Sequence, residues 1–274
     1  SAKYIDHLKN ENYNSKNLDL NSIKIITSTG SPLAEESFKY VYENIKQDVH
    51  LASIAGGTDL VGCLILCNLY SNVYKGEIQG QSLGIDIDVF TDDGKSTSDA
   101  EKGELVVKSP FPSMPVKFWG DDNGQKYYNA YFTKFKNIWH HGDFIEKTSN
   151  NGFIMRGRSD ATLNPGGVRI GTSEIYQQVE DIDFIIEGLV VGQNYDDDVR
   201  IILFVTTKND EELDEDKIKS IKSRIRKNCS PKHVPSIIKK VPEIPRTKSG
   251  KIVELAVRKL INGEEINNKE AIAN

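Results

Sequence analysis

Between residues 23 and 54 the chain runs strand, tight loop, helix, strand, and that order admits few folds. Residues 23–27 (IKIIT) are an apolar run ending in the turn-rich STGSP, which predicts a buried strand followed by a tight loop. Ser31 offers an N-cap, and Pro32 sits in the first turn, where its missing N–H does no harm. Phe38, Val41, Tyr42 and Ile45 then share one helical face. Burying each such side chain contributes about 1.5–3 kcal/mol. A second apolar run at residues 49–54 completes a βαβ pattern.

The texture changes after Tyr74. Ile85, Ile87 and Val89 alternate with aspartates, the period of a half-buried strand. Asp92, Asp93 and Gly94 make a turn, and residues 104–108 return as a second strand, so the section from about 75 to 156 reads as mainly β. From about Asp160 a third texture begins. The Gly-rich NPGGVRIG leads into a short helix from Ser173. Residues 189–192, 201–207 and 237–241 are strand-like, and 208–216 is an acidic loop. Ile218, Ile221 and Ile225 mark a helix over 216–228, and 253–261 forms a last one.

A chain of 274 residues is long for one domain and comfortable for two. Its 35 basic and 40 acidic residues argue against a nucleic-acid surface, which carries a basic excess. Three cysteines, an odd number in a chain too large to need disulfide staples, point to a reduced, cytoplasmic setting. Cys63 and Cys67 stand one helical turn apart in apolar sequence and read as core thiols. The first fourteen residues lack the apolar core of a signal peptide, and no apolar run is long enough for a membrane span.

Four segments carry chemistry. In Gly56-Gly57-Thr58-Asp59, glycines bring backbone close to a partner, and a hydroxyl and a carboxylate follow, a set suited to a phosphate oxygen and a divalent cation or to a capped glycine turn. In Trp139-His140-His141-Gly142-Asp143, adjacent strand residues face opposite ways, so the two histidines do not easily share one metal ion. A carboxylate after a glycine turn is better placed to accept from sugar hydroxyls. Arg158 and Arg169 flank a loop poor in side chains and offer planar forks of donors to phosphate or ribose, or are plain surface arginines. Residues 245–251 (PRTKSGK) miss the phosphate-loop pattern, because Arg246 stands at the first glycine and Ile252 follows Lys251; a mobile loop presenting a lysine fits as well as a solvated basic loop.

In this order, STGSPL at 28–33, Gly57-Thr58-Asp59, Gly142-Asp143, GRSD at 157–160 with Gly167 and Arg169, and residues 245–251 resemble the adenylate-forming superfamily of acyl-CoA synthetases, adenylation domains and luciferases. GGTD, PFPSMPVKFW, WHHGDF, GRSDATLNPGGVRIGTSEIY and the C-terminal NKEAIAN are similar to the branch that activates acetoacetate. The resemblance implies an α/β and α+β chain. The C-terminal part of a large AMP-binding domain would span 1–158, a βαβ layer plus a β-barrel-like section, and a small mobile α+β domain would span 159–274. The family's upstream phosphate loop is not in this sequence. That implies a C-terminal part of the enzyme, inactive alone, with the missing N-terminal half as a partner surface.

The implied reaction joins an acid to a thiol at the expense of ATP, with ATP, Mg²⁺ and CoA as cofactors, small molecules as partners, and neither nucleic acid nor membrane. By resemblance, Lys251 bridges the substrate carboxylate and the α-phosphate, and Thr58 holds a phosphate oxygen. Asp59 stands at the Mg²⁺ position, where the family usually has Glu. Asp143 and Arg158 hold the ribose, Gly30, Ser31 and Pro32 line the adenine slot, and Arg169 meets the α-phosphate. Asp160 is the hinge, and Gly167 keeps the pantetheine path open. Gly56 and Gly57 line the substrate pocket, with Gly56 leaving room where acetyl-activating relatives carry Trp. Rival readings are a non-catalytic nucleotide-binding fragment, the same chemistry on acetate or propionate, and a metal hydrolase built on His140, His141 and Asp143.

Overall fold

The computed structural model describes residues 1–180, 182–248, 250–266, 270 and 272–273. It divides into two compact units, Ser1–Met155 and Arg156–Asn274.

The first unit opens with α1 (Ala2–Asn10), whose N-terminus is capped by Ser1. β1 (Ile25–Ser28), α2 (Glu35–Tyr40) and β2 (His50–Ser53) follow, and α2 runs on into a single π-type turn, Val41–Ile45. β1 and β2 pair in parallel, with Ile25 opposite His50 and Ser28 opposite Ser53, as a helical crossover requires. Ile5, Phe38, Val41 and Leu51 share the core that the helices cover. The helix starts later than the sequence predicts. Ala34, not Ser31, is its N-cap, and it is extended at φ −65° and ψ 150°. A residue before proline avoids helical backbone, which disfavours a start at Ser31, and buried Leu33 pins the loop until the helix begins.

The β-rich section of this unit holds two sheets. β3 (Ala55–Gly57), β4 (Gly62–Leu66) and β5 (Gly80–Gln81) form an antiparallel three-stranded sheet. The other sheet has four strands in the order β6-β7-β8-β9, namely β6 (Ile87–Phe90), β7 (Lys102–Val107), β8 (Trp139–Lys147) and β9 (Phe153–Arg158). α3 (Gln125–Tyr131) lies in the connection between β7 and β8. Among the described residues both sheets stay open, and neither closes into a barrel. Period-two alternation buries Ile87 and Val89 beside Leu64, Ile65, Leu105 and Trp139. Cys63 lies on β4 and Cys67 just beyond it, so the pair sits on a strand rather than a helical turn. Both are half-buried, not core thiols. Burial, and next the neighbouring Cys67, push the Cys63 thiol up.

The second unit is built on β10 (Ile185–Tyr195), β11 (Asp198–Thr207) and β12 (Ile237–Lys240), preceded by α4 (Thr172–Val179). β10 and β11 pair antiparallel; β11 and β12 pair parallel across α5 (Glu215–Asn228). The turn between β10 and β11 carries Asp196 at φ 52° and Asp197 at φ 58°, the paired positive angles of a tight hairpin. Alternation sends Val190, Leu203 and Val205 toward Ile175 of α4 and Ile221 and Ile225 of α5. Leu189, Val191 and Ile202 go the other way, toward Ile244 and toward Val257 and Ile261 of α6 (Glu254–Ile261). The acidic run ends where Asp214 caps α5 by accepting from the Lys217 N–H at 2.8 Å. Among the described residues, no helix is long and apolar enough to cross a membrane.

Candidate functional site

Parallel strands release their following loops at one edge of a sheet, where ligands of α/β folds sit. β1 and β2 deliver residues 29–34 and 54–59 to that edge. Gly30, at φ +96°, turns the first loop, and Ser31 and Pro32 are exposed on it. Thr58 and Asp59 are exposed in a turn closed by the Val61 N–H donating to the Thr58 carbonyl at 3.1 Å.

β8 supplies the other wall. Its alternation puts Trp139, His141 and Asp143 on one face and His140 on the other. His140 turns to β7, where its Nε2 lies 2.9 Å from buried Glu104, which also accepts from Lys134 at 2.6 Å. On the opposite face the indole N–H of Trp139 donates to His141 Nδ1 at 3.2 Å, and His141 Nε2 lies 3.6 Å from Asp143. The Trp139 ring stacks on Tyr131 with centroids 3.6 Å apart, and the Tyr131 hydroxyl donates to Asp59. One continuous line of contacts thus joins exposed Asp59 to buried Asp143. The two histidines serve different carboxylates, and among the described residues no three His, Cys, Asp or Glu side chains gather as a metal-binding group.

Gly57 permits this packing, since a Cβ there would come within 2.8 Å of His141 Cε1. A Cβ at Gly56 would lie 2.1 Å from the Gly62 carbonyl oxygen and 2.6 Å from Cys63 Cα, both backbone. The glycine permits the close approach of β3 to β4.

In the second unit Arg158 Nε lies 3.6 Å from Asp160 Oδ1, and both side chains are about half exposed. The Asp160 carbonyl accepts from the Arg258 guanidinium of α6. Gly157 has φ +120°, and a Cβ on it would sit 2.7 Å from Thr172 Oγ1, so the GRSD glycine is demanded twice. Arg169 folds back on the same turn, donating from Nε to Thr162 Oγ1 at 3.3 Å and from Nη2 to the Ser159 carbonyl at 3.5 Å. Gly167 has φ +74°, and a Cβ there would meet nothing within 4 Å; the backbone angle, not crowding by the chain, calls for glycine. It lines an open cavity of about 620 Å³ with Asn164 and the residue 194–199 turn. Asp198 braces the loop, accepting from the Gly166 N–H at 2.7 Å. That bond, with the Val199 N–H, holds the Asp198 carboxyl below its usual range.

Lys251 is exposed at the end of a hydrogen-bonded turn. The Gly250 N–H donates to the Thr247 carbonyl at 2.8 Å, and Arg246 Nη1 donates to the Gly250 carbonyl at 2.8 Å. Arg246 also pairs with Glu187 of β10. Ser249 of this segment, and most of NKEAIAN, lie outside the described residues.

The expected site residues thus fall into two groups. Gly30, Ser31, Pro32, Gly56, Gly57, Thr58, Asp59 and Asp143 belong to the first unit; Arg158, Asp160, Gly167, Arg169 and Lys251 belong to the second. Sequence reasoning missed Tyr131, and missed Trp139 and His141 as the support of Asp143. The signal for the latter two was legible: residues 139, 141 and 143 share a strand face by period two. Nothing in the sequence pointed to Tyr131, which reaches Asp59 from 72 positions away.

No family model matches the chain. The chain is 55% identical over 275 residues to an acetoacetyl-coenzyme A synthetase of Rhizobium meliloti, covering all of this chain and 42% of that protein. It is 45% identical over 258 residues to the acetoacetyl-CoA synthetase of Gallus gallus, covering 93% of this chain and 38% of the relative. The chain therefore spans about two fifths of the length of the curated relatives it matches. A solved acetoacetyl-CoA synthetase from Streptomyces lividans superposes on the whole chain with a TM-score of 0.90 at 36% identity, using 42% of its own length. An anthranilate CoA ligase in complex with anthranoyl-AMP shares the fold at a TM-score of 0.77 and 19% identity, over 95% of this chain and 48% of its own.

Proposed function

We propose that this chain, homologous over its whole length to a segment of acetoacetyl-CoA synthetases, carries part of the machinery of an ATP-dependent acid–thiol ligase acting on acetoacetate. The observation that carries the reading is the 55% identity to an acetoacetyl-coenzyme A synthetase without loss of any part of the chain. The loop geometry supports it: residues 29–34 and 54–59 leave one edge of a parallel pair, where nucleotides bind in α/β sheets.

The chemistry has two halves. The acetoacetate carboxylate attacks the α-phosphorus of ATP, a P–O bond forms, and pyrophosphate leaves. The CoA thiol then attacks the acyl carbon and AMP leaves. The first half brings two anions together, so positive charge must be held where negative charge gathers. Lys251, exposed on a short turn anchored by Arg246, is the candidate for that role. The Thr58 hydroxyl is exposed to hold a phosphate oxygen, and Asp143 and Arg158 are assigned to the ribose hydroxyls. Exposed Gly30, Ser31 and Pro32 are assigned to adenine, and Arg169 to the α-phosphate once released from the 159–162 turn.

The donor set near Asp59 fits Mg²⁺ in one mode. A single exposed carboxylate, with no cluster of further acidic or histidine ligands among the described residues, suits an ion that keeps several waters and borrows phosphate oxygens from its nucleotide. Mg²⁺ would supply neutralisation of phosphate charge; Asp59, braced by Tyr131, would hold it. Asp160 is assigned to the hinge, and its carbonyl is tied to α6 by Arg258.

The test is acid-dependent exchange of pyrophosphate into ATP by the complete protein, with acetoacetate, acetate and propionate compared side by side, followed by detection of the acyl-CoA. Acetoacetate is expected to give the highest kcat/KM. Preference for acetate or propionate would reassign the acid. Nucleotide binding with no exchange for any of the three would favour a non-catalytic nucleotide-binding role.

A further inference from the structure

α6 begins three residues after Lys251, and it is weakly seated. None of its residues is fully buried, and no side chain caps its N-terminus. Apolar contact through Val257 and Ile261 alone would leave its first turn loose. That turn is instead held by a polar tie. The Tyr176 hydroxyl of α4 donates to Glu254 and itself accepts from the Val190 N–H at 3.1 Å, so Tyr176 links α4, β10 and α6 at one point. The Thr172 hydroxyl is a second side-chain partner of Glu254. Thr172 is in turn the residue that packs on Gly157. One turn further on, Arg258 reaches the Asp160 carbonyl.

We propose that Glu254 is a positioning residue for Lys251, locking the helix after the lysine turn to the residue 157–172 segment so that the hinge and the lysine move as one body. The inference rests on the adenylate-forming reading and deepens it by naming what holds the lysine. The other end of the lysine turn is held by Arg246 on Glu187, so the turn is braced on both sides while the Lys251 side chain stays exposed. The environment of Glu254 is tuned for this tie. Burial pushes its carboxyl up, the Tyr176 and Thr172 hydrogen bonds oppose that, and nearby Asp160 and Arg158 act in opposite directions. Burial, and then the Glu254 charge, push the Tyr176 phenol well above its usual range, so it stays a donor.

The experiment compares wild type, Glu254→Ala, Glu254→Gln and Tyr176→Phe in the complete protein. It measures acetoacetate-dependent ATP–pyrophosphate exchange, thioester formation from pre-made acetoacetyl-adenylate, and melting temperature. Misplacing a catalytic group by about 1 Å costs roughly a hundredfold, so Glu254→Ala and Tyr176→Phe should lose roughly ten- to a hundredfold in kcat for exchange, with KM for ATP changed less than about threefold. Thioester formation should be kept within about threefold, because the other half-reaction does not use the lysine. Glu254→Gln, which can still accept from Tyr176, should recover most of the exchange rate. Wild-type exchange in both Glu254→Ala and Tyr176→Phe would overturn the inference, as would equal losses in the two half-reactions. If Glu254→Ala does not fold, Tyr176→Phe decides by the same criteria. Absence of exchange in the wild type would overturn the adenylate-forming reading itself, a result distinguishable from either.

Discussion

Trp139 donates its indole N–H to Nδ1 of His141 at 3.2 Å, and that bond assigns the imidazole tautomer. An indole only donates, so Nδ1 must accept, and the ring proton belongs on Nε2, which faces Asp143 at 3.6 Å. The histidine therefore turns its N–H edge toward a buried carboxylate, the one assigned above to the ribose hydroxyls. His141→Ala is expected to weaken AMP binding by about five- to tenfold, the worth of roughly one hydrogen bond. Titration calorimetry on the complete protein checks this; unchanged affinity would mean that Asp143 needs no such support.

Glu104 is fully buried and serves both Lys134 and His140. Removing Glu104 leaves partly exposed Lys134 to Asp92 and leaves the His140 ring without this partner, at a cost of about 1–3 kcal/mol. Glu104→Ala should lower the urea midpoint accordingly. A loss below about 1 kcal/mol would show the site to be wetter than its burial indicates.

Asp88 gives the fold a handle on pH. Burial alone would raise its carboxyl, but hydrogen bonds from Lys147, the Val89 N–H and Ser96 outweigh this and hold it below its usual value. The folded state thus binds this proton less readily than the unfolded chain. The resulting stability is present above the unfolded value, about pH 4, and is lost as pH falls through the folded one. Asp88→Asn should therefore lower the melting temperature at pH 7 and narrow the gap from wild type at pH 3. A gap that widens on acidification would reverse the sign.

Lys251→Ala should abolish most acyl-adenylate formation, by about a hundredfold or more, as loss of a charge-stabilising donor does elsewhere. Thioester formation from pre-made acyl-adenylate should survive. Single-turnover assays of each half-reaction decide the matter, and matching losses would remove the lysine from its assigned step.

Periodicity and punctuation were enough to read the βαβ order of residues 23–54, the alternating strand at Ile87 and Val89, and the amphipathic α5, because each depends on neighbours a few positions apart. The glycines at 57 and 157 stand out in the sequence, but what each one spares, His141 and Thr172, is visible only in the packing. The start of α2 was misjudged by a few residues because a buried Leu33, a tertiary fact, outweighs a good capping residue at Ser31. What a Cβ at Gly56 would strike is likewise a tertiary fact, the backbone of β4, which only strand pairing brings there. The hydroxyls that meet Asp59 in the first unit and Glu254 in the second, those of Tyr131 and Tyr176, come from 72 and 78 positions away. Composition and spacing determine which residue types are at hand and which face of an element they take. Which carboxylate meets which hydroxyl is decided by the packing of whole elements, where burial makes an unpaired polar group costly and so selects the partners.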